Sequence, residues 1–77
     1  MNNQRLNAAG GELAADVAAI DEALTDILLR IHTMRRRWPR DSDRAEIRLT
    51  MLAVEDAAES LQGASRKIAR LRRCMIR

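Results

Sequence analysis

Apolar side chains recur along the first half of the chain in alternating steps of four and three residues. The series is Leu6, Gly10, Leu13, Val17, Ile20, Leu24, Ile27, Ile31, Met34 and Trp38. This spacing is the a/d pattern of a heptad repeat, which lines one side of an α-helix with apolar side chains. Because Gly10 and Gly11 weaken helix formation near the start, the pattern predicts a first helix over about residues 12–37.

The only proline of the chain predicts where that helix ends. Pro39 disfavours a helical conformation in the residue before it and has no backbone N–H to donate. Trp38 should therefore lie at the end of the helix, and we expect a turn over residues 38–42. The segment after the proline offers three residues suited to cap a new helix, Asp41, Ser42 and Asp43.

A second apolar series follows the turn. Residues at intervals of seven are Ile47, Val54, Leu61, Ile68 and Met75, and the positions between them are Met51, Ala58, Ser65 and Arg72. Since the last two of these are polar, we expect the apolar stripe to shift onto Ala64 and Leu71 near the end. The pattern predicts a second helix over about residues 43–75.

Two long amphipathic helices joined by a short turn are expected to fold back on each other. The predicted fold is all-α: a single domain over residues 1–77 that forms an antiparallel two-helix hairpin resembling a coiled coil. Charge order supports this fold, because acidic residues dominate 1–29 and 41–59, whereas basic residues dominate 30–40 and 60–77. A turn centred near residue 40 places position i opposite about 80 − i, so each acidic block faces a basic block.

The basic composition has two explanations. The net charge is +3 and the isoelectric point is about 10.4, and pairing between the helices accounts for the charge order without any ligand. Alternatively, a high isoelectric point is typical of nucleic-acid-binding proteins. Contacts with phosphate or with an acidic partner would then fall to the tip arginines, Arg35, Arg36, Arg37 and Arg40.

Four leucines lie outside the predicted a/d positions of the two helices, namely Leu28, Leu29, Leu49 and Leu52. An isolated hairpin would leave part of this group in water, and exposed apolar patches usually mark interfaces. We therefore expect these leucines to bind a partner. The partner is either a second copy, which would complete a four-helix bundle, or a different protein that packs on the same groove.

Trp38 is the only large aromatic side chain of the protein and has two possible roles. It could close the core of the hairpin at the turn by packing on Met34 and Ile47. It could instead bind a partner, because Trp and Arg are enriched among interface hot spots. Loss of the side chain should destabilise the fold in the first case and leave it intact in the second.

Candidate catalytic chemistry is sparse. His32 is the only histidine, and the residues three and four positions away offer it neither a carboxylate nor a thiol. Cys74 is the only cysteine, which favours a reducing compartment. No segment approaches the roughly 18 apolar residues that span a bilayer. We expect a cytoplasmic protein that is not an enzyme, holds no cofactor or metal and does not enter a membrane.

These features favour a non-enzymatic protein–protein interaction module, such as a small adaptor, co-chaperone or inhibitor. The module would act through an apolar helix face and the Trp38 tip with its arginines. The alternative is a nucleic-acid-binding regulator, or an inhibitor of a nucleic-acid machine, that uses the basic tip. The two hypotheses differ in salt dependence, because phosphate contacts weaken steeply as salt rises.

Overall fold

The chain forms two α-helices, α1 (Asn3–Arg37) and α2 (Ala45–Met75), that run antiparallel and are joined by residues 38–44. The structure is a computed structural model that describes the backbone of residues 3–75 and the side chains of residues 10–75. Its dimensions of 66 × 15 × 15 Å are those of two helices lying side by side. The prediction of an all-α helical hairpin is confirmed.

Helix α1 begins at Asn3, well before the start expected near residue 12. The helix passes through Gly10 and Gly11, and neither glycine adopts a positive φ. Each glycine costs about 1 kcal/mol relative to alanine within a helix, but the neighbouring alanines and Glu12 favour helix formation. The glycine pair therefore does not interrupt the helix. The predicted core position Leu6 falls outside the residues whose side chains are described, as do residues 1, 2, 76 and 77.

Pro39 ends α1 by the expected mechanism. The Trp38 N–H still donates to the Met34 carbonyl at 2.9 Å, and Pro39 has no N–H with which to continue the series. The last helical residue is Arg37. The tip of the hairpin is thus formed by the end of α1 and residues 38–44.

Helix α2 begins at Ala45, two residues after the expected start. Its first backbone bond runs from the Arg48 N–H to the Arg44 carbonyl at 3.0 Å. The Ser42 hydroxyl accepts a hydrogen bond from the Arg44 N–H at 3.1 Å, and the Arg48 side chain donates to the Ser42 carbonyl at 3.0 Å. Of the three expected capping residues, Ser42 therefore supplies the side-chain contact that orders the entry to α2.

The side of α1 that contacts α2 differs from the predicted one. Val17 and Ile31 are buried and Leu24 is half-buried, as the 4-3 series predicts. However, the series is wrong for Leu13, Ile20 and Ile27, which remain exposed. The half-buried positions lie instead four residues after Val17, Leu24 and Ile31, at Asp21, Leu28 and Arg35. The rows three and four residues after Val17, Leu24 and Ile31 both fit a heptad. Compared with the prediction, α1 is rotated about its axis so that the row with the interhelix ion pairs faces α2.

Helix α2 keeps one contact side along its whole length. Met51 and Ala58 are 1% exposed, and Ser65 and Arg72 continue the same row as half-buried residues. Of the two residues onto which the stripe was expected to shift, Ala64 is half-buried, but Leu71 stays 44% exposed. Arg72 is retained at the contact because its guanidinium donates to Asp21 of α1 at 2.6 Å.

The two interhelix ion pairs show that the 80 − i register is wrong. Arg35 binds Glu55, where the rule placed residue 45, and Asp21 binds Arg72, where it placed residue 59. Side chains lean towards the N-terminus of their own helix. In this hairpin they lean away from the tip on α1 and towards it on α2, which accounts for part of the difference. Ten residues are about 15 Å along a helix, more than this lean covers, so the backbone register also differs from the rule. Both pairs still join an acidic block to a basic block.

Candidate interaction surface

Helix α1 leaves a row of large apolar side chains uncovered by α2. Leu13, Ile20 and Ile27 are 58%, 48% and 41% exposed, and half-buried Met34 continues the row towards the tip. Steps of seven residues return to nearly the same side of a helix. The four side chains therefore form one ridge along α1, which we call the α1 ridge.

A cleft near the tip shows which side of α2 adjoins the α1 ridge. Its volume is about 180 Å³, and its lining residues are Met34, Trp38, Glu46, Ile47, Thr50 and Met51. Seven-residue steps from Ile47 lead to Val54, Leu61 and Ile68, which are half-buried, and steps from Thr50 lead to Ala57, Ala64 and Leu71. No residue in these two rows of α2 is charged, although Glu46 also lines the cleft. The α1 ridge and these two rows of α2 together make a surface that we call the uncharged face.

The opposite side of the hairpin carries the interhelix ion pairs. The Arg35 guanidinium donates to both carboxylate oxygens of Glu55, at 2.7 and 2.8 Å, and Arg72 donates to Asp21 at 2.6 Å. A two-pronged contact of this kind fixes the geometry of both groups. The hairpin thus has one polar, ion-paired side and one side without charge.

The Arg35–Glu55 pair shifts the titration of both partners. The hydrogen bonds from Arg35 hold the pKa of the Glu55 carboxyl below its ordinary value, against the opposing effect of burial. The positive charges of Arg35 and Arg40 add to the lowering. The same hydrogen bond raises the pKa of Arg35. Arg35 is therefore engaged with α2 and is the member of the four tip arginines least available to an external phosphate.

The structure separates the four leucines that were expected to form one partner-binding patch. Leu28 is half-buried beside the contact with α2. Leu29 lies two residues before buried Ile31, about 200° around the helix, so it points away from α2. Leu49 stands in the same relation to buried Met51 and points away from α1. Leu29, Leu49 and Leu52 are exposed. Leu49 and Leu52 are neighbours on α2, whereas Leu29 lies on α1, and the binding of a partner by these leucines stays a prediction.

The tip combines Trp38 with exposed arginines, among them Arg36, Arg37 and Arg40. Trp38 lines the cleft with Met34 and Ile47, the two residues against which it was expected to close the core. It is nevertheless 43% exposed. The side chain is therefore placed to support the end of the hairpin and to touch a partner, and both expectations for it remain in force.

The described residues offer few features of other kinds of site. His32 and Cys74 are exposed and lie on different helices. No group of three or more His, Cys, Asp or Glu side chains within residues 10–75 could hold a metal ion. The tip cleft is smaller than the roughly 300 Å³ at which ligand pockets usually begin. Neither α1 nor α2, over the stretches described, has an apolar segment long enough to cross a membrane.

The fold defines this chain as an all-α helical hairpin with one uncharged face. No protein-family model, no curated protein and no solved structure matches it significantly. Its function must therefore be argued from its own surface.

The residues of the uncharged face were not identified as a site from the sequence. The α1 ridge was assigned to the core because its spacing fits a heptad as well as the true contact row does. The signal that could have found it lies on α2, where the row Thr50, Ala57, Ala64 and Leu71 contains no charge although the sequence around it is rich in Arg, Asp and Glu.

Proposed function

We propose that this protein is a non-enzymatic interaction module, a small adaptor, co-chaperone or inhibitor, that binds a protein surface through its uncharged face. Assembly of two hairpins into a four-helix bundle is one form of this function, and packing against a different protein is another. Trp38 and the exposed arginines at the tip are the candidate specificity determinants. The partner is expected in the compartment suggested by the free thiol, the cytoplasm.

The observation that supports this proposal is the contrast between the two sides of the hairpin. Leu13, Ile20 and Ile27 present about half of their side-chain surface to solvent in one continuous row. Scattered exposed leucines are ordinary on soluble proteins, whereas contiguous apolar surface usually marks an interface. A thin hairpin also buries little apolar surface of its own, and proteins of this size commonly gain stability by association.

A matched pair of variants tests the proposal. Ile27→Asp places a carboxylate on the uncharged face. Leu49→Asp places the same group on the outer side of α2, at one of the leucines that the sequence predicted to bind a partner, so the two variants decide between the two surfaces. The nuclease-treated protein is analysed by light-scattering chromatography, alone and after incubation with extract of its native cells. We expect a protein assembly, of either kind, that survives high salt, is lost with Ile27→Asp and persists with Leu49→Asp.

Circular dichroism of both variants checks that the helices remain intact. Two results would contradict the proposal: assemblies that tolerate Ile27→Asp, or assemblies that both variants abolish equally while both remain helical. The first would mean that the face is not the contact surface. The second would mean that association does not distinguish the two sides of the hairpin.

A nucleic-acid-binding function is the second candidate, and the exposure of Arg36, Arg37 and Arg40 at one end favours it. The test is fluorescence anisotropy with labelled RNA and DNA duplexes over a salt series. Three phosphate contacts predict that log K falls with log salt at a slope of about −2 to −3. Replacing the three arginines by glutamine should abolish binding, whereas Leu49→Asp should not affect it. Binding with no salt dependence would exclude this function.

A further inference from the structure

We propose that the surface covering the uncharged face is a second copy of this chain, packed with both tips at the same end so that α1 lies against the partner's α2. This inference deepens the proposed function and rests on it. The two hairpins would be related by a two-fold axis that runs along their length. Three features of the hairpin support this arrangement: the heights of the apolar rows, their side-chain sizes and the charges at their edges.

The rows on the two helices lie at matching heights. The Asp21–Arg72 ion pair joins the residues that directly follow Ile20 and Leu71 in sequence, so Ile20 and Leu71 lie at about one level. Because both helices rise by about 1.5 Å per residue, each step of seven residues towards the tip keeps the rows level. Ile27 is then level with Ala64, and Met34 with Ala57. A two-fold axis along the hairpin preserves these heights, so each of these ridge residues meets its counterpart on the partner.

The sizes of the side chains are complementary in this arrangement. The α1 ridge is built from Leu, Ile and Met, whereas the facing row of α2 has Thr50, Ala57 and Ala64 before it ends in Leu71. Large side chains that meet small ones allow two helices to interlock. If the tips pointed in opposite directions, α1 would lie against the partner's α1, so that ridge would meet ridge and the alanines would face each other.

Charges along the edges of the face match in the same arrangement. Residues 12–29 of α1 carry only acidic charges, and residues 60–75 of α2 carry only basic ones. With both tips at one end, the acidic stretch of α1 lies beside the basic stretch of the partner's α2. The two-fold axis repeats this match on the other edge.

The reverse arrangement opposes like charges. Residues 12–29 of α1 contain five acidic residues and no basic one, and residues 60–75 of α2 contain five basic residues and no acidic one. Tips at opposite ends would set the acidic block of α1, which spans the middle of that helix, against its own copy. Like charges brought together at an interface disfavour that pairing. The basic block of α2 would instead meet the partner's residues 45–60, so it is the acidic block and the side-chain sizes that favour tips at the same end.

This dimer would double the tip. Two copies of Trp38, with Arg36 and Arg40 from each chain, would lie side by side at one end of the bundle. A partner of the assembled protein would then meet one wide basic surface rather than two separate ones.

Cysteine cross-linking tests the arrangement. In a Cys74→Ser background, Ile27→Cys and Ala64→Cys are made as separate proteins, each is reduced, and the two are mixed and oxidised. We expect disulfide-linked dimers from the mixture and few from either protein alone, because position 27 meets the partner's position 64. Leu49→Cys mixed with either protein serves as the control and should give no such product.

Light scattering on the Cys74→Ser protein over a range of concentrations is expected to approach twice 8.7 kDa. Self-linked Ile27→Cys with no mixed product would overturn the arrangement, because it indicates α1 against α1. A monomeric mass at every concentration would overturn the inference as a whole. Neither outcome contradicts the proposed function, since a different protein could still cover the face, and the comparison of Ile27→Asp with Leu49→Asp decides that separately.

Discussion

Truncation of one ridge residue gives the sharpest quantitative test of the proposed dimer. Ile20 is 48% exposed in the hairpin, so about half of its side chain remains to be buried on association. Full burial of an isoleucine is worth about 1.5–3 kcal/mol, and half of that is about 1 kcal/mol. Because the two-fold axis repeats the contact, Ile20→Ala should weaken the dimer by about 2 kcal/mol.

That loss corresponds to an increase of about 30-fold in the dissociation constant, since each 1.4 kcal/mol is about a factor of ten. Sedimentation equilibrium of the wild-type and variant proteins over a concentration series measures the ratio directly. Leu49→Ala is the control: Leu49 is 61% exposed, loses a similar amount of apolar surface, and lies on the outer side of α2. Its dissociation constant should change by less than about 3-fold.

The reasoning fails if Leu49→Ala weakens association as much as Ile20→Ala does, or if Ile20→Ala leaves the dissociation constant unchanged. In the second case the melting temperature is informative. A variant that melts earlier but associates normally would show that Ile20 contributes within the hairpin alone.

Two further predictions concern the core and the ion pair. Replacing Met51, which is 1% exposed, by alanine should lower the free energy of unfolding by about 2–5 kcal/mol and the melting temperature by at least about 10 °C. A smaller shift in a thermal circular dichroism scan would place Met51 outside the core. Because the folded-state pKa of Glu55 is lowered, its pairing with Arg35 stabilises the fold above the ordinary glutamate pKa and is lost as pH falls through the lowered value. The melting-temperature difference between wild type and Glu55→Gln should therefore shrink between about pH 7 and about pH 3, and a constant difference would argue against the pair.

Much of the fold follows from local signals in the sequence. Pro39 ends α1 because a proline cannot donate the next backbone hydrogen bond, and this consequence does not depend on tertiary contacts. The heptad spacing predicts both helices, and the order of charged blocks predicts that they fold back antiparallel. The start of α1 is harder to predict, because Gly10 and Gly11 disfavour a helix whereas their neighbours favour one, and the two effects are similar in size.

The rotation of α1 could not be predicted from its own sequence. Positions three and four residues after Val17 both fit a 4-3 series, and hydrophobicity alone favours Ile20 over Asp21. The decision depends on α2, because Arg72 and Glu55 supply the partners that Asp21 and Arg35 need. Residues distant in sequence thus decide which apolar side chains of α1 stay exposed, and the candidate site could be found only with both helices in place.

The width of the apolar surface on α1 is the strongest general argument that the hairpin is one part of an assembly. A helix with a single neighbour needs a narrow apolar stripe, whereas a helix within a bundle carries one about 100° wide or more. On α1 the apolar surface extends from Leu28, through the buried row of Val17 and Ile31, to the ridge at Ile20 and Ile27. Helix α2 covers the first part and leaves the ridge in water. An additional helix against the ridge would make the rotation of α1 favourable, since the ion pairs would then be formed on one side without losing apolar burial on the other.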